Sequence, residues 1–324
     1  MNVKTLVIGL AAFFGGSAFL SLDQTPVFPP ELPPLGEEVV FGSDRSDRMT
    51  VPVTINGGGP HEFVIDTGAE RTMISHELAE RLELSRAGSG EVHTLTGKYS
   101  VPLYKVPRIS VSGDGQAPLL APAVSRARLG ASGLLGVDSL QNSRVHFDMK
   151  RKVMTVMPQK KFAEKPREKK GVIVITAERV HGRLLFSTAK LDGVPVRVVI
   201  DTGAQVTVGN EPLRQELLRR WRKGQDVSLI GVLGDEQPGR LGEVRRMEIG
   251  KLTMTGGAIV FADAPVFAEL NLDRRPAILL GMSSIEAFEG VDLDFVNQRV
   301  AFDLPPPKPF IRTNCTASLI ANHC

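Results

Sequence analysis

The sequence predicts a mostly β protein of two pseudo-symmetric closed lobes, each with a short helix, joined at a functional interface. Three observations predict it. The chain has 32 Gly and 22 Pro but one Trp and two Tyr, which favours a turn-rich β architecture over a helical one. The stretch "FVIDTGAERTMIS" (63–75) returns as "VVIDTGAQVTVGN" (198–210), 135 residues later. The repeat also reaches well beyond that motif, with order and element type preserved.

The elements follow in order. Residues 1–22 have one Lys and then an uncharged run from Thr5 to Leu22, which reads as an export signal, or as a membrane anchor if it stays uncut. Residues 23–44 contain "TPVFPPELPPLG" and read as a Pro-rich spacer. The N-terminal lobe is placed at 45–160 and the C-terminal lobe at 171–306, with a charged linker at 161–170 between them. In each lobe a strand–turn–strand unit leads to the acid: "VPVTINGGGPHEFVIDTGA" (51–69) and "FSTAKLDGVPVRVVIDTGA" (186–204). Next comes a helix. Ser75 caps "SHELAERLEL" (75–84), and Asn210 caps "NEPLRQELLRRWR" (210–222) with Pro212 in its first turn. "SGLLGVDSL" (132–140) answers to "AILLGMSSI" (277–285). A closing hairpin follows in each half, at 143–156 and 289–304. The tail, 307–324, holds both cysteines, Cys315 and Cys324. An oxidising compartment would allow a small terminal disulfide, and a pair of free thiols is the alternative.

If the lobes pack about an approximate two-fold axis, Asp66 faces Asp201. Two carboxyls about 3 Å apart cannot both ionise and share a single proton. The charged member can take a proton from water while the protonated member donates to a carbonyl oxygen. Thr67 and Thr202 are placed to hydrogen-bond across the interface. Gly68 and Gly203 let backbone N–H groups approach the carboxylates. Ala69 and Ala204 offer no further hydroxyl.

These residues resemble the retropepsin-like aspartic proteases, over most of 45–304 and once per half. The resemblance implies an aspartic endopeptidase acting on peptide or protein substrates, with no cofactor. It implies a strand (Leu134, Leu135, Gly136; Leu279, Leu280, Gly281) passing beneath each Asp turn, and a pepsin-like monomer with internal two-fold pseudo-symmetry. Pepsin-like members usually have Ser or Thr where this chain has Ala69 and Ala204, so the expected pH optimum is mildly acidic to neutral. The family covers its substrate with hairpin flaps. The candidates are 91–106, with Gly97 and Tyr99 (Tyr104 being a second aromatic), and 226–244, with Gly231 and Gly234.

Other chemistries find no support. A formal charge of +3 gives no nucleic-acid footprint. The six His show no metal-ligand spacing and read as surface or turn positions, so no metal is expected. Asp148, Asp292 and Asp294 read as exposed strand residues. The second functional reading is a catalytically weak, peptide-binding protein of the cell envelope. An exported chain would be periplasmic or secreted.

Overall fold

The computed structural model describes residues 37–40, 42–43, 48–94, 98–111, 114–116, 118–158, 171–218, 224–231 and 234–306. The segment 1–22, most of the spacer, the linker 161–170 and the tail with Cys315 and Cys324 lie outside the described residues. Among the described residues no helix is long and apolar enough to cross a membrane.

The two lobes repeat strand for strand. In the first, Met49–Ile55 and Gly58–Ile65 form a hairpin. Gly58–Ile65 lies parallel to Gly133–Leu135, which runs antiparallel to Met73–Ser75, itself parallel to Leu119–Val124. In the second, Arg183–Leu191 and Val194–Ile200 form the hairpin. Ala277–Leu280, Val208–Gly209 and Leu252–Phe261 follow in the same senses. Registers match as well: Leu135 lies opposite Ile65, and Leu280 opposite Ile200. These strands are apolar on both faces because they run through the middle of a lobe. Phe63, Val64 and Ile65 are all buried, as are Val198, Val199 and Ile200.

Closure takes two forms. In the C-terminal lobe the long strand Glu236–Ile249 pairs back onto Arg183–Leu191, completing a six-stranded barrel. In the N-terminal lobe the corresponding stretch is split into Lys98–Val106 and Ile109–Val111. Pro107 between them has no N–H to give to a ladder, and this lobe stays a half-barrel.

Among the described residues five short α-helices decorate the lobes. Helix α1 (His76–Arg81) starts at Ser75, whose hydroxyl accepts from the Leu78 N–H. It stops before the expected residue 84, because Leu82 leaves the helix and Glu83 turns to positive φ. Helices α2 (Arg126–Leu129) and α4 (Pro265–Glu269) occupy equivalent places, one per lobe. Helix α3 (Glu211–Leu218) is capped by Asn210 as expected, the Asn210 Oδ1 accepting from Leu213 N–H at 3.1 Å. The same oxygen accepts from Ala277 N–H, which ties this helix to the strand beneath the Asp turn. Helix α5 (Met282–Ile285) follows Gly281.

The closing hairpins, assigned above one to each lobe, instead form one sheet across both. Ser143–Asp148 pairs antiparallel with Gly290–Asp294, Val145 opposite Leu293. The full order is Glu37–Val40, Val153–Pro158, Ser143–Asp148, Gly290–Asp294, Arg299–Asp303, Val172–Thr176, antiparallel throughout. Residues 37–40, read as the end of the spacer, are thus an edge strand. The main hydrophobic core runs unbroken from this sheet into both lobes.

The sheet also buries Asp292 and Asp294, at 8% and 7% exposure, where the sequence reading had them exposed. Asp294 caps the turn at Asn297, accepting from its backbone and side-chain N–H groups at 2.8 Å. Asp292 accepts from Arg144 Nε at 2.8 Å and lies 3.4 Å from His146 Nδ1. His146 is therefore a half-buried strand residue rather than a surface one. Burial alone would raise the Asp292 carboxyl, but the bonds from His146 and Arg144 hold it below its ordinary value. Asp292→Ala strips Arg144 of a charged partner in this central sheet and is expected to destabilise the fold by about 2 kcal/mol in urea unfolding.

Candidate active site

Each Asp-Thr-Gly turn is held from below by its own lobe. The Asp66 N–H donates to Leu135 O at 3.0 Å, and Asp201 N–H to Leu280 O at 3.1 Å. The Val137 N–H donates to Ala69 O, as Met282 N–H does to Ala204 O. Thr72 and Thr207, each six residues past its Asp, accept from the N–H groups of Gly136 and Gly281 at 3.0 and 3.2 Å. The approach is so close that a Cβ on Gly136 would lie 2.5 Å from the Arg71 carbonyl carbon. This explains the glycine that closes both apolar–apolar–Gly segments.

The two turns lock to each other. Thr67 Oγ1 donates to Ile200 O at 2.9 Å and accepts from Thr202 N–H at 3.1 Å. Thr202 Oγ1 returns the pattern, donating to Ile65 O at 3.0 Å and accepting from Thr67 N–H at 3.1 Å. Both threonines are buried. The lock brings Asp66 and Asp201 together, each carboxyl seated over the other lobe's glycine. A Cβ on Gly68 would lie 2.5 Å from Asp201 Cγ, and one on Gly203 would strike Asp66 Cγ closer still. Gly68 N–H donates to Asp66 Oδ1 at 2.8 Å. Gly203 and Ala204 N–H donate to Asp201 Oδ1 at 3.0 and 3.1 Å.

Burial raises the Asp66 carboxyl, and the Gly68 N–H, Arg183 and Arg48 offset only part of that. Burial and then the charge of Asp66 push Asp201 up to about 7. Two acids raised together, each feeling the other, hold one proton between them.

Arg183 was not singled out by sequence. It is buried at the start of Arg183–Leu191, and its Nε donates to Gly68 O at 2.5 Å across the lobes. Arg48 stands at the equivalent place and donates to Leu129 O. Each lies eighteen residues before its Asp, a spacing the repeat carries. Thr72 and Thr207 were legible by the same test.

Above the acids is a cleft of about 1050 Å³ lined by both lobes. Its roof includes Glu91–Thr94 from the first lobe and Ser228–Gly231 with Gly234 from the second. Gly231 and Gly234, the flap candidates of the second lobe, both line the cleft. The Gly234 N–H donates to Gly231 O, at a φ of +78° that suits glycine. Gly97 lies outside the described residues. Tyr99 does not line the cleft. It is on the return strand, 37% exposed, with Val92 of the forward strand taking the cleft position opposite it. The first roof reaches the second lobe at two points: His93 Nδ1 lies 2.5 Å from Glu269 Oε1 of α4, and Thr94 Oγ1 donates to Asp235 Oδ2 at 2.8 Å. His93 also meets Glu91 at 2.7 Å, and these two carboxylates raise its imidazole above the ordinary value. It too is a bridging residue rather than a plain surface one.

Comparison with known proteins finds a family model on each half. Residues 51–142 match the family model described as "gag-polyprotein putative aspartyl protease", and residues 187–284 match the model described as "Aspartyl protease". Among solved structures, the chain is similar to a retropepsin-like aspartic protease from Rickettsia conorii. The two are 21% identical with a TM-score of 0.31, over 41% of this chain and 91% of that one. No curated protein matches. An aspartyl protease model thus matches each Asp-Thr-Gly-Ala half, so the chain carries two aspartyl protease domains.

Thr67→Val keeps the shape of the lock but leaves Ile200 O and Thr202 N–H unpaired. It is expected to lose about 3 kcal/mol in denaturant unfolding. The raised Asp201 gives a stability term with a definite sign. The folded state keeps a proton that the unfolded chain releases near the ordinary carboxylate value. The term is fully present below that value and is lost as pH rises through about 7. Asp201→Asn should therefore melt at a higher temperature than wild type at pH 8, with the gap closing by pH 4.

Proposed function

We propose that this protein is an aspartic endopeptidase that hydrolyses peptide bonds with water activated between Asp66 and Asp201. The observation that carries the reading is the seating of each carboxyl over the opposite lobe's glycine under a reciprocal threonine lock. A pair fixed this way, with raised proton affinity, suits general acid–base work on a bound carbonyl.

The steps follow from one shared proton. The ionised carboxyl takes a proton from water, and the water oxygen bonds to the scissile carbonyl carbon. The other carboxyl gives its proton to the carbonyl oxygen, so a neutral gem-diol forms. On collapse the newly protonated carboxyl delivers its proton to the amide nitrogen, the C–N bond breaks, and a diol hydroxyl returns its proton to the pair. Atoms and charge balance with no covalent enzyme intermediate. The cleft suits an extended peptide segment better than a compact small molecule. A substrate enters once the His93–Glu269 and Thr94–Asp235 contacts part.

Both acids come from one chain, which favours a monomer as the active species. Residues 1–22 favour an exported, periplasmic or secreted protein, held at the membrane if that segment is retained. The paired acids weigh against a binding protein that does not cut, since a peptide binder has no use for two mutually raised carboxyls.

Asp66→Asn and Asp201→Asn should each lower kcat/KM by about 10³-fold or more, and the double variant should be little worse than either single one, because the two act as a unit. Robust turnover by either single variant would remove the mechanism. The pH–rate profile should fall as pH rises past about 7, where the pair loses its shared proton. Tight, pH-dependent binding of a pepstatin-type analogue would separate the enzyme from a peptide binder.

A further inference from the structure

The two walls of the cleft are built from equivalent positions, yet they differ in charge. Arg71 lies five residues after Asp66, and Val206 five after Asp201. Both line the cleft. A second pair follows from the strand register. Ala123 sits opposite Ile74 and Phe261 opposite Gly209, and Ile74 and Gly209 are each eight residues past their Asp. Five residues beyond Ala123 and Phe261 stand Arg128 of α2 and Val266 of α4, again both on the cleft. At these two paired positions the first wall is cationic and the second apolar. Deeper positions do not differ in this way: Met73 answers to Val208, and Leu134 to Leu279.

Neither Arg71 nor Arg128 has an ion pair among the described residues, and both side chains are exposed. Glu70 is the acid adjacent to Arg71 in the chain, and Gln205 replaces it on the other wall; Glu91, the first lobe's other acid on the cleft besides Asp66, is engaged by His93, and Asp138 by Thr72. Arg126 adds a further cation on α2. The second wall continues its apolar character into the roof at Ile230, an isoleucine left 52% exposed.

We propose that the cleft selects peptides with a carboxylate side chain on one side of the scissile bond and an apolar side chain on the other. The inference rests on the hydrolytic reading above and adds the substrate class. A Glu or Asp against the first wall meets two guanidinium groups that can bind it through charge-assisted, forked hydrogen bonds. The same residue against Val206 and Val266 would lose water and gain no partner. A Lys or Arg is repelled by the first wall. A neutral Gln of the same shape loses the charge but not the fit, which makes Glu against Gln the sharpest comparison.

The test is hydrolysis of a peptide library, followed by matched Glu and Gln peptides at low and high salt. The expected kcat/KM ratio is about 10 in favour of Glu at low salt, falling toward one at about 1 M salt, where charge interactions are screened. The paired variant Arg71→Val with Arg128→Val, which copies the second wall onto the first, should bring the ratio to about one and turn the preference to apolar residues on both sides. The milder Arg128→Gln should give an intermediate ratio and guards against loss of folding in the pair. Equal rates for Glu and Gln at low salt, or a preference for Lys, would overturn the proposal. If wild type cleaves no peptide at all, the hydrolytic reading fails, and fluorescence anisotropy of the same peptides decides the subsite alone. Tighter binding of Glu than Gln then upholds it, and equal binding ends it.

Discussion

Two carboxyl groups pressed together away from bulk water are the constraint that the rest of the molecule answers. Left alone, such a pair would push the lobes apart or take up protons until neutral. The structure opposes separation with four reciprocal threonine bonds that cross between the lobes. It moderates proton uptake with backbone N–H groups and with the buried Arg183, whose charge acts on both acids. Glycine appears where it does because each carboxyl occupies the space a side chain on the opposite turn would need.

Much of this was legible in the sequence, because the repeat supplies a second copy of every rule. The acids, their threonines and glycines, the strand beneath each turn and the caps Ser75 and Asn210 all rest on local patterns that occur twice. What escaped notice depends on pairing between distant segments. Nothing local says that 143–148 meets 290–294, so Asp292 and Asp294 looked like solvent-facing positions on separate hairpins. His93 escaped for the same reason, since it matters through a residue in the other lobe, whereas the spacing Arg183 shares with Arg48 was there to be read. Pro107 was visible, but its effect on barrel closure depends on which strand it would have joined.

The halves have diverged unevenly. Contacts that set the position of the acids are nearly superimposable in kind: the same N–H groups, the same hydroxyls, distances within a few tenths of an ångström. Groups that face the cleft from its sides are less well matched. This is the pattern expected when the chemistry demands a symmetric floor but a peptide, having direction, does not demand symmetric walls.

The six-stranded sheet shared by the lobes decides how the molecule can move. Its ladder runs without interruption from one half to the other, so the halves cannot splay without tearing backbone bonds and opening the common core. The mouth must therefore widen from overhead, by lifting two light hairpins, while the base remains a stiff keel.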